Sequence, residues 1–144
     1  MPDTPQFYIG LISGTSIDGI DAALVDFSTP HAPQLIDSAD FPYSDALQAQ
    51  LHGLCLPSEN EIEIMGNADI AVAKAFSKAV SALLARNQLA PNDIVAIGSH
   101  GQTIRHLPEA ALPFTLQIGD PHTLAALTGI DVIGDFRRKD MALG

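Results

Sequence analysis

The most informative segment of the chain is Gly10-Leu11-Ile12-Ser13-Gly14-Thr15-Ser16-Ile17-Asp18-Gly19-Ile20-Asp21. It joins two short runs rich in β-forming residues, Phe7 to Ile12 and Ile20 to Phe27, and therefore predicts a β-hairpin. The connection between the runs carries two glycines, three hydroxyl side chains and one carboxylate. Because glycine lets backbone N–H groups turn toward a ligand and hydroxyls add rotatable donors, this turn suits phosphate oxygens.

Asp18 is the unexpected member of this turn. A carboxylate is repelled by a triphosphate unless a cation lies between them, so Asp18 predicts a Mg²⁺ ion held directly or through water. The turn contains no lysine and joins strand to strand, unlike the common strand-to-helix nucleotide motifs. The alternative is an ordinary hairpin turn with Asp18-Gly19 as its turn pair.

Composition limits the classes of function. The chain has 144 residues, 47% of them hydrophobic, which predicts one globular domain. The formal net charge of −10 argues against a general binder of nucleic acid or of anionic membranes. The N-terminus has neither a basic nor an apolar signal region, and no run is apolar enough to span a bilayer. The single cysteine, Cys55, suits a cytoplasmic protein and is expected to be a small buried hydrophobe.

The middle of the chain predicts an edge strand followed by helices. Gln34 to Tyr43 alternates poorly, as expected of a strand at the edge of a sheet, and Ser44 to Leu54 predicts a short helix. Ser58 and Glu61 form a capping-box pattern that predicts the start of a long helix, from Glu59 to about Asn87.

The long helix carries one apolar stripe. Its predicted members are Ile62, Met65, Val72, Phe76, Val80 and Leu83. Asp69 interrupts the stripe. We expect it to be a carboxylate at the edge of the helix, paired with a nearby lysine or with solvent, and the alternative is a polar contact to the site.

Ile94 to Ser99 is a nearly continuous apolar run, which predicts a central strand covered on both faces. It leads directly into His100-Gly101-Gln102-Thr103, and ligands gather beyond the carboxyl ends of such strands. Imidazole, amide and hydroxyl groups together suit a polyol ligand. The alternative for His100 is a structural histidine.

The last part of the chain adds shorter elements. Phe114 to Ile118 predicts a strand, and Asp120 followed by Pro121 predicts the start of a short helix that ends near Leu127. Asp131 to Gly134 predicts the final strand. Arg137 follows that strand and could bind a carboxylate or phosphate in bidentate fashion, or pair at the surface with Asp135 or Asp140.

Three stretches together resemble the anhydro-N-acetylmuramic acid kinases, which belong to the sugar kinase, Hsp70 and actin superfamily. The first is Ser13 to Asp21, and the second is Gly98 to His106. The third is Gln117-Ile118-Gly119-Asp120, continuing to Gly134-Asp135-Phe136-Arg137-Arg138-Lys139-Asp140. The resemblance runs from Tyr8 to the last residue, and three motifs in one order are more specific than a single glycine-rich turn.

The resemblance implies an α/β fold, namely a ribonuclease H-like (actin-like ATPase) domain with a mixed sheet. Residues 1–144 would form the first domain of a two-domain kinase, with the second domain and the general base outside this chain. The implied reaction is ATP-dependent opening of the 1,6-anhydro ring and phosphorylation of O6 during peptidoglycan recycling. The implied nucleotide-binding residues are Gly14, Thr15, Ser16, Ile17, Asp18, Gly19, Ile20 and Asp21, with Asp18 also serving Mg²⁺. The expected sugar-binding residues are His100, Gln102, Thr103, Asp120, Asp135 and Arg137.

Two other functions are kept open by the residues. A metal-dependent nuclease of ribonuclease H-like fold could use Asp18, Asp120 and Asp135 as a two-metal cluster. A non-catalytic nucleotide-binding module is the other alternative. The expected partner is a small-molecule sugar, with no nucleic acid or membrane, and a homodimer is left open.

Overall fold

The computed structural model describes residues 4–144, which form a mixed sheet of six strands with four helices. The strands are β1 (Phe7–Ser13), β2 (Gly19–Asp26), β3 (Gln34–Pro42), β4 (Ile94–Leu107), β5 (Phe114–Ile118) and β6 (Val132–Ile133). The helices are α1 (Asp45–Leu54), α2 (Glu61–Arg86), α3 (Pro121–Thr128) and α4 (Phe136–Leu143). The predicted α/β class with a mixed sheet is confirmed.

The sheet has the order β3-β2-β1-β4-β5, with β6 pairing to β4. The predicted hairpin is confirmed, because β1 and β2 pair antiparallel from Phe7 opposite Asp26 to Ile12 opposite Asp21. β3 lies at the edge, as its weak alternation predicts. β1 also pairs in parallel with β4, which places Ser13 beside Gln102. The first two sequence motifs are therefore neighbours in the sheet.

β4 is longer than its apolar run. We expected a loop after Ser99, but the strand continues to Leu107, so His100 to Thr103 lie within it. Gly101 has a φ of +79°, and the register against β1 shifts at this point. Before this irregularity β4 pairs with β6, and after it β4 pairs with β5, so the strand continues instead of ending.

The start of α2 corrects a prediction. No capping box forms at Ser58, because Asn60 occupies the N-cap position in the left-handed conformation and makes no side-chain cap bond. The helix begins at Glu61, whose carboxylate instead accepts a hydrogen bond from Arg105 at 2.5 Å. Ile62, predicted to lie on the apolar stripe, is 82% exposed because it belongs to this first turn.

The core lies between α2 and one face of the sheet. Val72 and Phe76 from α2 pack in one buried cluster with Ile9 and Leu24 from the hairpin. This cluster confirms the central part of the predicted stripe.

The opposite face of the sheet is more open. An apolar depression of about 590 Å³ lies there, lined by residues that include Tyr8, Gly10 and Phe136. Ala96 and Ile97 point to opposite faces and are 7% and 0% exposed, which fits the prediction that Ile94 to Ser99 is covered on both faces. Val95 is the exception at 50% exposure, and it lies where the register against β1 shifts.

α1 ends as predicted, but the cysteine that follows it does not behave as expected. Ser44 caps α1 by accepting a hydrogen bond from the Leu47 N–H. Cys55 is the C-cap residue and is exposed, because the chain leaves the core at this point.

Among residues 4–144, no helix is both long and apolar enough to cross a membrane.

Candidate functional site

The hairpin turn (residues 13–19) is anchored by Ile17. This residue has a φ of +58° yet is only 1% exposed, because its side chain enters the core while the backbone reverses direction. Its N–H donates to the Gly14 carbonyl at 3.2 Å. The turn therefore closes around a buried side chain and leaves Thr15 and Ser16 at the surface.

Side chains of the domain hold the carbonyl groups of this turn. The Gln102 Nε2 donates to the Gly14 carbonyl at 2.9 Å, and the Gln48 Nε2 donates to the Ile17 carbonyl at 2.9 Å. The Ser13 hydroxyl lies 2.6 Å from the Gly19 carbonyl and 2.5 Å from the Gln102 Oε1.

The N–H groups of the turn are arranged differently from its carbonyls. Within the part of the chain that the structure describes, the N–H groups of Thr15, Ser16 and Asp18 have no intramolecular acceptor. All three residues are exposed. Successive free N–H groups in a tight turn form the kind of concavity that binds anions.

Carboxylates surround the depression beside the turn. It has a volume of about 350 Å³, and its lining includes Ser16, Asp18, Asp21 and Asp40. Asp21 lies opposite Asp40 across β2 and β3. Burial raises the pKa of Asp21 above its ordinary value of 3.8, with smaller contributions from a hydrogen bond to Asp40 and from the charge of Asp40. The concentration of negative charge favours a cation here.

A second cavity, of about 230 Å³, lies where β4 meets α3. It brings together three predicted site residues, His100, Asp120 and Asp135. Arg137 is connected to it, because its Nε lies 3.1 Å from the His100 Nε2. The His100 Nδ1 lies 3.3 Å from the Gly101 carbonyl, so the two contacts together fit a neutral imidazole with its proton on Nδ1.

Asp120 is the N-cap of α3, as predicted. Its carboxylate accepts from the His122 N–H at 3.2 Å and from the Thr123 N–H at 2.9 Å. The hydrogen bond from the Thr123 hydroxyl is the largest cause that lowers the pKa of Asp120, and the two N–H groups add to it. Asp120 therefore faces the cavity as a carboxylate that is stable in its charged form.

The two arginines at the start of α4 have separate partners. Arg138 pairs with Asp135 at 2.9 Å, whereas Arg137 contacts His100. The alternative in which Arg137 pairs with Asp135 or Asp140 is therefore not the arrangement observed. Arg137 is exposed beside the cavity.

Gln102 and Thr103 do not line this cavity. The Gln102 side chain is 0% exposed, and its amide is engaged with the hairpin turn and with the Thr103 carbonyl. The Thr103 hydroxyl accepts from the Gln117 Nε2 at 3.2 Å. The sugar contacts expected of these two residues stay predictions.

Two further residues line the cavity. Asp69 accepts a hydrogen bond from the Gly119 N–H at 2.6 Å, so the alternative of a polar contact to the site, and not the pairing with lysine, is the arrangement observed. Its position in the apolar stripe was the signal for that alternative. Ser99 lines the same cavity, and its buried hydroxyl has no partner within residues 4–144. Ser99 lies within the second motif, Gly98 to His106, but the sequence does not show that its hydroxyl faces a cavity.

Comparison with known proteins assigns the family. The family model described as anhydro-N-acetylmuramic acid kinase matches residues 6–144. The chain belongs to this family. Curated relatives named anhydro-N-acetylmuramic acid kinase are 56% identical over 138 residues in Shewanella sp. (strain ANA-3), 57% in Shewanella putrefaciens and 55% in Shewanella oneidensis. Each match covers 96% of this chain but 37% of the relative. The chain therefore spans little more than a third of the length of these family members.

The nuclease alternative required a cluster of Asp18, Asp120 and Asp135. The structure separates them, since Asp18 lines the depression beside the turn whereas Asp120 and Asp135 line the cavity. Among residues 4–144, no group of three histidine, cysteine or acidic side chains is placed to hold a metal ion. The two-metal arrangement is not assembled by these residues.

Proposed function

We propose that the full-length protein is a kinase that uses ATP to open the 1,6-anhydro ring of anhydro-N-acetylmuramic acid and phosphorylates O6. The product is N-acetylmuramic acid 6-phosphate, an intermediate of peptidoglycan recycling in the cytoplasm. The observation that carries the proposal is the family match over residues 6–144. The free N–H groups of the hairpin turn support it, because a kinase must hold phosphate oxygens.

The nucleotide is assigned to residues 14–21. The N–H groups of Thr15, Ser16 and Asp18 would donate to phosphate oxygens, and the two exposed hydroxyls would add further donors. Ile17 contributes through its buried side chain, which fixes the shape of the turn. Donors that are already in place cost little reorganisation during phosphoryl transfer.

Asp18 is the proposed protein ligand of Mg²⁺, directly or through water. Mg²⁺ is usually bound by one or two carboxylates together with substrate phosphates, so a single carboxylate beside a phosphate site fits it. The nearby Asp21 and Asp40 add negative charge without being required as ligands. When bound, the ion would neutralise charge on the transferred phosphoryl group.

The sugar is assigned to the cavity beside β4. His100, Asp120 and Asp135 offer donors and acceptors for sugar hydroxyls. Arg137 is exposed next to His100, where its guanidinium could bind the lactyl carboxylate of the substrate. Thr103 would act from the adjacent part of β4, whereas the buried Gln102 would act only through the backbone that its amide binds.

The chain is proposed to be the first of two domains. The rest of the full-length protein would supply the adenosine pocket and the carboxylate that activates water for attack on the anomeric carbon. Phosphoryl transfer requires groups on several sides of the phosphate. Residues 1–144 alone are therefore expected to be inactive.

The test is a coupled assay of ADP release with ATP, Mg²⁺ and the anhydro sugar. We expect sugar-dependent turnover from the full-length protein and none from the 144-residue chain. Absence of turnover from the full-length protein would contradict the kinase and favour a non-catalytic nucleotide-binding module. Turnover by the short chain within about a hundredfold of the full-length rate, a barrier difference under roughly 2.7 kcal/mol, would show that the active site is misplaced.

A further inference from the structure

Two glutamines that are distant in sequence each hold one peptide unit of the hairpin turn. Gln102 is 88 residues from Gly14, whose carbonyl it binds, and Gln48 is 31 residues from Ile17, whose carbonyl it binds. Both distances are 2.9 Å. The two contacts come from different elements, one from β4 and the other from α1.

The Gln102 side chain is held in one orientation by its surroundings. Its side chain is fully buried, and its Nε2 also donates to the Thr103 carbonyl at 2.9 Å, while its Oε1 faces the Ser13 hydroxyl. The two carbonyls that accept from Nε2 fix the orientation of the amide, because the reversed orientation would place Oε1 against both of them. A buried amide with all its partners in place cannot rotate without losing hydrogen bonds.

The planarity of the peptide bond connects these contacts to the free N–H groups. In a trans peptide unit, the carbonyl and the following N–H point in opposite directions. Holding the Gly14 carbonyl against Gln102 turns the Thr15 N–H away from the domain. Holding the Ile17 carbonyl against Gln48 does the same for the Asp18 N–H. These are two of the three N–H groups of the turn that lack an internal acceptor within residues 4–144.

We propose that Gln48 and Gln102 are positioning residues for the nucleotide phosphates. Each holds a carbonyl inward so that the next N–H stays directed outward, where it donates to a phosphate oxygen. Neither side chain contacts the nucleotide. The inference rests on the proposed assignment of the nucleotide to this turn, and it gives Gln102 a part in nucleotide binding rather than in sugar recognition.

The test replaces each glutamine by methionine in the full-length protein. Methionine has a similar length and no charge, so Gln48→Met and Gln102→Met remove the donor without adding a charge near the phosphates. Gln50→Met is the matched control, because Gln50 lies on the same helix and its Nε2 faces the Ile64 carbonyl of α2. The readouts are the Kd for ATP with Mg²⁺ and the Kd for the anhydro sugar, each measured by calorimetry.

We expect Gln48→Met to raise the Kd for ATP by about five- to tenfold, the effect of one lost hydrogen bond, and Gln102→Met to raise it further. The Kd for the sugar should change by less than about twofold in both. Gln50→Met should alter neither value. An unchanged Kd for ATP in Gln48→Met, or an equal rise in the Gln50→Met control, would overturn the proposal. Gln48 is only half-buried, so its variant decides the question even if Gln102→Met unfolds. Because ATP binding is measured without turnover, failure of the sugar kinase assay is a separate result.

Discussion

The hairpin turn takes its ligand-facing groups from one short segment, residues 15–18, whereas the cavity beside β4 takes its lining from α2, β4, β5, α3 and α4. In the turn, the free groups are backbone N–H groups, and side chains hold the carbonyls behind them. In the cavity, the free groups are side chains, and the Asp69 carboxylate accepts from the backbone N–H of Gly119. A short turn can be a binding site by backbone shape, while a cavity between elements depends on how those elements pack.

The carboxylates of the two regions also differ. The pKa of Asp21 beside the turn is raised by burial and by Asp40, whereas that of Asp120 is lowered by the hydrogen bonds it accepts at the start of α3. The depression beside the turn disfavours added negative charge unless a cation is present. The cavity stabilises the single carboxylate of Asp120 without a cation.

The largest expected effect concerns Gly101, at the cavity side of β4. Its φ is +79°, and a Cβ there would lie 2.5 Å from the Ile118 carbonyl oxygen, which belongs to the backbone. Gly101→Ala should therefore lower the local free energy of unfolding by about 3 kcal/mol, combining strain with overpacking. Hydrogen exchange of the β4 and β5 amides in the full-length protein measures this loss.

Gly14→Ala is the matched comparison in the turn. A Cβ at Gly14 would meet only the Ser16 Oγ, at 3.9 Å, so stability should change little. If the β4 and β5 amides were equally protected from exchange in both variants, Gly101 and Gly14 would tolerate a Cβ equally well. That result would refute the expected difference between the two regions.

The second prediction removes the side chain that holds the cavity loop. Asp69→Ala leaves the Gly119 N–H without its acceptor, and the free energy of unfolding should fall by about 2 kcal/mol, as for other hydrogen bonds to charged groups. The KM for the sugar should rise and the KM for ATP should not, since the turn does not contact Asp69. Glu63→Ala, an exposed position on the same helix, is the control. Equal effects of the two variants would mean that Asp69 does not organise the cavity.

The smallest expected effect tests the acidic pair beside the turn. Because folding raises the pKa of Asp21 above 3.8, ionised Asp21 costs stability, and this cost appears as the pH rises above about 4. Asp21→Asn should therefore stabilise the protein by about 0.5 kcal/mol at pH 7, the size of a cross-strand like-charge repulsion, with little effect below pH 4. Urea unfolding at the two pH values measures the difference.

A double-mutant cycle identifies the source of that effect. If Asp40 provides the repulsion, Asp40→Asn should stabilise the protein similarly, and the double variant should gain less than the sum of the two single changes. Fully additive gains would assign the effect of Asp21 to burial alone.

Local sequence patterns were sufficient to predict the hairpin, the edge position of β3, most of α2 and the cap of α3. These features depend on residues that are close along the chain, such as Asp120 before Pro121, or on an apolar period repeated over several turns. The three motifs were sufficient to indicate the family. Local patterns also misled, because the capping-box pattern at Ser58 did not produce a cap and the apolar run at Ile94 did not show where β4 ends.

Long-range contacts determine which polar side chains face a ligand site and which hold the backbone around it. Gln102 looks like a ligand-binding residue in its motif, yet its amide binds the turn 88 residues away. Asp69 looks like a solvated carboxylate, yet it binds the Gly119 N–H at a separation of 50 residues. The physical reason is that a buried polar group must find a partner, and sequence spacing does not specify a partner that folding brings from another element.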